Sequence, residues 1–189
     1  MPTYIGLLRA VNLGGATQVP MAQLRELLAE VGLEEGRTLL QSGNVAFQSR
    51  ARDETALERV LARAIAERMR VRTEVFVRSS EAWGSVVAGN PFVREARDDP
   101  SHLLVMALRN APAEGRWKAL EAAISGRERV HGSGRHAYLV YPDGIGRSRL
   151  TAARIESHLG TVGTARNWNT VTKLAELAAT TGSPSRDPH

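Results

Sequence analysis

The sequence predicts an α+β protein built from two ferredoxin-like βαββαβ halves packed together, followed by a C-terminal helix. Three observations carry this. Apolar periodicities along the 189 residues spell the order βαββαβ twice. Each run holds a hairpin signal at its centre, Ser42-Gly43 in the first and Gly132-Ser133-Gly134 in the second. An acidic, proline-bounded stretch near Asn90–Pro100 separates the two. Repetition of this order gives two antiparallel sheets, each with helices on one face.

Taken in order, Thr3–Arg9 is a strand, apolar at Tyr4-Ile5 and Leu7-Leu8. Pro20 opens a helix whose Met21, Leu24, Leu27, Leu28 and Val31 recur at helical spacing until Gly32 ends it. Arg37–Gln41 and Asn44–Gln48 form the hairpin. Thr55 and Glu58 make a capping box for a helix carrying Leu57, Leu61, Ile65 and Met69 on one face. Thr73–Arg78 alternates and is β-branched, as a strand requires. A short helix near Glu81–Ala88 follows.

The second half opens with the strand Leu103–Leu108, then a helix from Pro112 with Trp117, Leu120 and Ile124. Arg127–His131 and Ala137–Tyr141 pair as strands, Ser148 begins a helix ending at Gly160, Thr161–Ala165 is the last strand and Trp168–Ala179 the last helix. The expected organisation is a first half over residues 1–89, a connector over 90–101, a second half with its C-terminal helix over 102–180, and a disordered tail over 181–189. In each unit the first and third strands are expected to run parallel and the fourth against them. That would put Gly144–Ser148 and Arg166–Asn169 at opposite ends of the second sheet, about 17–20 Å apart for strands of ordinary length.

Composition narrows the function classes. The hydrophobic fraction of 42% is enough for a core, and the absence of cysteine excludes disulfides, thiolate nucleophiles and thiolate metal sites. No apolar run approaches the ~20 residues of a membrane span, so no membrane partner is expected and the cytoplasm is the expected compartment. The net charge of +5 is concentrated: residues 125–170 hold seven arginines against three acids, which accounts for four of the five charges. A segregated basic region is what an anionic partner would select, whether a phosphate-bearing small molecule or a nucleic acid. Only two lysines, Lys118 and Lys173, occur in the chain, so arginine is also its ordinary solvated cation.

Five motifs resemble those of the bacterial family catalogued as domain of unknown function 1697. They are Tyr4–Gly15 (YIGLLRAVNLGG), Gln41–Phe47 (QSGNVAF), Asn90–Phe92 (NPF), Tyr141–Leu150 (YPDGIGRSRL) and Thr164–Val171 (TARNWNTV). Ala10, Val11 and Arg149 stand where that family often has Gly, Ile and Lys. The resemblance implies no particular activity.

The residues themselves point to polar-ligand binding. Arg166, Asn167 and Asn169 surround Trp168 where a strand meets a helix, and exceed the single cap such a junction needs. Trp168 lies on the face continued by Val171, Leu174 and Ala175, which assigns it to core packing. Gly144–Ser148, with Gly146 in a turn and Ser148 as a helix cap, is suited to an anion held by backbone N–H groups. It lacks the third glycine of the dinucleotide fingerprint and the lysine of the P-loop. Arg9 and Asn12 end a strand before Gly14-Gly15, and Gln41 and Asn44 flank a hairpin turn. These nine residues, Arg9, Asn12, Gln41, Asn44, Gly146, Ser148, Arg166, Asn167 and Asn169, form the expected ligand-binding set. The alternatives are a nucleic-acid or polyanion module using residues 125–170, and a protein–protein interaction domain. No cofactor and no metal is implied, because the five histidines never fall at ligand spacing, and no nucleophile elbow or other catalytic motif occurs.

Overall fold

The computed structural model describes residues 1–14 and 18–182. The expected tail lies outside the described residues from position 183 onward. Two compact units divide the chain: Met1–Ser85 together with the chain from Lys173, and Val86–Thr172. The boundaries fall inside helices, and the stretch read as a connector contains a helix of its own, Val93–Asp98.

Unit 1 contains β1 (Thr3–Leu8), α1 (Met21–Glu30), β2 (Glu34–Leu39), β3 (Asn44–Gln48), α2 (Glu54–Met69) and β4 (Val75–Ser79), and α3 (Ser80–Ala88) runs out of it. Unit 2 continues with α4 (Val93–Asp98), β5 (Leu103–Leu108), α5 (Arg116–Ala122), β6 (Arg129–Ser133), β7 (His136–Val140), α6 (Ala152–Leu159) and β8 (Gly163–Asn167). The last helix, α7 (Trp168–Thr180), begins in unit 2 and ends in unit 1. The sheets have orders β2-β3-β1-β4 and β6-β7-β5-β8, antiparallel throughout. This is the double βαββαβ architecture that the element order implies.

Strand direction corrects one expectation. β7 and β8 are both antiparallel to β5, so they run the same way as each other. Val140, the last residue of β7, faces Leu103, and Asn167, the last of β8, faces Leu104. The turn after β7 and the junction after β8 therefore leave the sheet at one end, separated by a single strand, about 10 Å in the pairing direction. The reason is the split βαβ connection, whose crossover helix returns β8 parallel to β7 with β5 between them.

Each unit has its own core on the helix-covered face of its sheet. In unit 1, Tyr4, Leu8, Val45, Phe47, Val75 and Val77 meet Leu24, Leu28, Leu57, Leu61 and Ile65. In unit 2, Leu104, Met106, Leu108, Ala137 and Leu139 meet Leu120, Ile155 and Leu159. The opposite faces are buried as well, which is why β1 and β5 read as continuous apolar runs without alternation.

The duplication extends to single residues. Leu8 and Leu108 each donate a backbone hydrogen bond to a hairpin carbonyl, Gly43 and Arg135, at 2.8 and 2.9 Å. The arginines that follow, Arg9 and Arg109, bond to the carbonyls of Glu74 and Val162 just before β4 and β8. Ile5 faces Arg78 on β4, and Val105 faces Arg166 on β8. Both halves thus carry an arginine at the same sheet position.

Three local readings change. The cap of α2 is Asp53, which accepts from Thr55 N, and Glu58 instead turns to the sheet edge and accepts from Val77 N at 2.9 Å. The second hairpin has a tighter turn than its glycines imply: its first strand runs two residues further, to Ser133, and the turn is Gly134-Arg135 alone. Ser148 does not cap a helix. Ile145–Arg147 is a single 3-10 turn, and α6 begins after Thr151, whose hydroxyl accepts from Arg154 N.

Candidate functional site

The nine expected residues fall into two groups, one in each unit. In unit 1, Arg9, Asn12, Gln41 and Asn44 come together where β1 ends beside the β2–β3 hairpin, since Leu7 faces Asn44. The chain turns sharply there, with Ala10 and Asn12 at φ 53° and 56°. Asn12 holds this turn. Its carboxamide accepts from Val19 N at 2.7 Å and donates to the carbonyls of Val19 and Gln41. Arg9 pairs with Glu74 at 2.7 Å, and its carbonyl accepts from the Thr73 hydroxyl. Asn44 is fully buried and donates to Leu39 O and Ser42 Oγ, closing the hairpin from within. Gly43 is fixed by φ 72° and by space: a Cβ there would stand 2.7 Å from Leu8 and Val11. Gln41 alone of the four is exposed, beside a depression of about 400 Å³ that it shares with Asn12, Gly14 and Gln18.

In unit 2, Gly146 and Ser148 lie in the turn after β7, and Arg166, Asn167 and Asn169 at the junction of β8 and α7. The junction is a well-made helix start: Asn167 Oδ1 accepts from Thr170 N at 3.0 Å, Trp168 N donates to Pro100 O, and the Trp168 ring is buried. Arg166 donates to Thr164 Oγ1 and Ala165 O, both at 2.9 Å. Burial pulls its pKa down to about 10, so it remains a cation at neutral pH. Asn169 is exposed.

The turn after β7 borders a cavity of about 260 Å³ lined by Ser125–Glu128, Tyr141, Asp143, Gly144 and Arg147–Arg149. Arg127 forms a two-pronged ion pair with Asp143, with Nε 3.0 Å from Oδ2. Hydrogen bonding from Arg127 holds the Asp143 carboxyl below its ordinary range against desolvation, with smaller help from the charges of Arg127 and Arg147. Ser148 donates to Glu128 and accepts from Leu150 N at 2.9 Å. The guanidinium groups of Arg147 and Arg149 make no hydrogen bond or ion pair among the described residues. Tyr141 forms the floor, its hydroxyl bonded to Leu150 O at 3.0 Å, and burial with the nearby Glu128 charge pushes its pKa up to about 12. His102 Nδ1 lies 2.8 Å from Asp99 Oδ2. Its other ring nitrogen faces Gly144, 3.7 Å from where a Cβ would be.

Of the residues that bound this cavity the expected set holds Ser148 but not Arg127, Glu128, Arg149 or Tyr141, and Gly146 lies in the turn without lining it. The signal for Arg127 and Arg149 is the basic excess over residues 125–170, which names a region and no geometry. That region is not one continuous surface. Arg127 and Arg129 are paired to Asp143 and Glu95, Arg154 bonds the Ala123 carbonyl, Arg166 is half-buried, and Arg135 sits in the β6–β7 turn at the far end of the sheet. Among the described residues no cluster of three His, Asp or Glu could hold a metal ion, and no helix is long and apolar enough to cross a membrane.

The sequence model of one family, described as Protein of unknown function (DUF1697), matches residues 1–138. The fold resembles that of the conserved bacterial protein SP0830 from Streptococcus pneumoniae, with a TM-score of 0.69 and 20% identity over 94% of this chain and 98% of that one. No curated protein matches the chain.

Proposed function

The chain belongs to this family of unknown function, DUF1697, and we propose that it binds a small polar ligand bearing an anionic group, seated in unit 2 against the turn Gly144–Ser148. One observation carries the reading: three guanidinium groups line a cavity of about 260 Å³, and only Arg127 is spent on a carboxylate. Arg147 and Arg149 are the anion contacts in this reading, with the Gly146 backbone beside them. A guanidinium recognises phosphate or carboxylate through two parallel N–H donors, which suits a compact anion. Glu128 and Asp143 on the same wall would accept from hydroxyl or amine groups of the ligand, which favours a polar molecule over a bare ion. Arg166, Asn167 and Asn169 reach the same end of the sheet and would support a ligand extending past β5. The ion pairs of Arg127 and Arg129 withdraw charge from a polyanion surface, so a small ligand is preferred to nucleic acid. The cytoplasm remains the proposed location.

The test is a thermal-shift and calorimetric series with inorganic phosphate, pyrophosphate, glycerol phosphate and citrate. A ligand at one hundred times its Kd stabilises by about 2.7 kcal/mol. The Arg147→Ala/Arg149→Ala variant is expected to lose at least tenfold in affinity with its own melting temperature unchanged. Absence of binding to any of the four, or binding unchanged in the double variant, rejects the proposal. Tight binding to a short DNA or RNA with a steep salt dependence would select the polyanion reading instead.

A further inference from the structure

The two sheets have four edge strands, and three of them carry a device that blocks further pairing. On β4, Glu58 and Glu54, one helical turn apart on α2, accept from Val77 N and Ser79 N at 2.9 and 2.8 Å, filling the outward donors of that edge. On β8, Glu156 of α6 accepts from Gly163 N at 2.9 Å. β2 is broken by a bulge between Glu34 and Arg37, with Glu35 at φ 53°. Bulges and side chains that occupy the edge are the usual protections against adventitious strand addition.

β6 has none of these. All five of its residues, Arg129–Ser133, are in unbroken register with β7. The turn that joins them has two residues, so Ser133 and His136 form a hydrogen-bonded pair and the backbone groups of Val130 and Gly132 point outward. Among the described residues nothing bonds to those outward groups. Beside this edge runs a groove of about 430 Å³ with Pro91, Phe92, Ile124 and Val130 as its apolar wall and Glu121 and Glu128 among its polar groups. Arg129, the cation nearest, is neutralised by Glu95 and stacks 5.1 Å over Phe92. Glu121 is exposed and its carboxylate makes no hydrogen bond or ion pair among the described residues.

We propose that the β6 edge and this groove form a docking site for an extended segment of a partner polypeptide, apolar on one side and basic on the other, which adds to the sheet as a fifth strand. An open edge supplies the main-chain hydrogen bonds, and alternate side chains fall on the two faces of the added strand. Apolar side chains would lie against Phe92, on the face of Arg129, and basic ones would meet Glu121, on the face of Val130. Pairing β6 of two copies edge to edge would set the acidic groups of one groove against those of the other, which argues against a second copy as the occupant.

The experiment is fluorescence anisotropy of the intact protein with a labelled peptide alternating valine and lysine. Saturable binding is expected, weakened at least tenfold when alternate peptide amides are N-methylated and again by Glu121→Lys. The peptide alternating valine and glutamate should bind at least tenfold more weakly to the wild type, and Glu121→Lys should narrow that gap. Equal binding of the N-methylated peptide, equal binding of the glutamate peptide, or no binding at all overturns the proposal. So does sedimentation that shows a wild-type dimer converted to monomer by Val130→Pro, since the edge would then belong to a second copy. The methylated peptide leaves the protein untouched, so its result does not depend on how any variant folds.

Discussion

Replacing Glu58 by Ala removes a carboxylate that serves two buried partners. Its Oε1 lies 3.6 Å from Arg78 Nη1, and the side chains are 6% and 1% exposed. The same oxygen accepts from Val77 N at 2.9 Å. Breaking one side of a buried pair typically costs about 3–5 kcal/mol, because the remaining charge stays desolvated. Losing the acceptor of a buried N–H costs about 1–3 kcal/mol. One oxygen makes both contacts, so the terms overlap, and about 3–5 kcal/mol is expected for the whole change. In a chain of this size each kcal/mol moves the melting point by about 2–4 °C, which gives a fall of about 6–20 °C. Urea unfolding followed by tryptophan fluorescence reads this directly, since Trp83 is fully buried in the folded chain. Glu58→Gln, which keeps the acceptor for Val77 N, should recover the hydrogen-bond part only. Glu58→Met with Arg78→Met should recover the ion-pair part of the loss, because two well-packed apolar groups avoid the desolvation that the ions suffer, while Val77 N stays without its acceptor. A loss under about 0.5 kcal/mol for Glu58→Ala, or a double variant no more stable than the single, would refute the reasoning.

Two further outcomes follow from the geometry of unit 2. Gly132→Ala should destabilise by about 1–3 kcal/mol in a urea titration, because a Cβ there would collide with the Trp117 ring; Gly132→Ala with Trp117→Leu should regain part of it. Tyr141 has its pKa raised from 10.0 to about 12. Its contribution to stability is therefore complete below pH 10 and is lost as pH rises towards 12, by about 2–3 kcal/mol at about 1.4 kcal/mol per pH unit. Tyr141→Phe should begin about 1 kcal/mol less stable for want of the bond to Leu150 O. It should then lose less between pH 8 and pH 11.5, and parallel urea midpoints for the two proteins across that range would contradict the assignment.

What the sequence made legible and what it hid divide along physical lines. β5 was placed at Leu103–Leu108 because an unbroken apolar run bounded by polar residues has few other uses. The first strand of the second hairpin reads two residues short because Gly132 and Gly134 look alike in sequence. Only Gly134 has positive φ, while Gly132 lies in a strand and is small to admit Trp117. The capping box at Thr55 and Glu58 was misread because a glutamate at the right spacing can turn to a distant strand as readily as to its own helix end. Ser148 was misread for a related reason, since its hydroxyl goes to Glu128, twenty residues earlier. The arginines of residues 127–166 were counted correctly, yet their partners Asp143 and Glu95 depend on tertiary placement that composition does not carry. Strand direction follows from the split βαβ connection, which sets β7 and β8 parallel with β5 between them, and no local sequence signal marks it.

The division of the chain has a consequence for how it is made. Unit 1 needs Met1–Ser85 and also the residues from Lys173 onward, including Thr180, whose hydroxyl receives Arg37 Nη1 at 3.3 Å. On a ribosome, Val86–Thr172 emerges uninterrupted and is complete while unit 1 still lacks its last segment. At about 5–20 residues per second, synthesis from Ser85 to Thr180 takes on the order of 5–20 s. The N-terminal half is therefore born first and finished last, and over those seconds it is held by four strands and two helices without the end of α7.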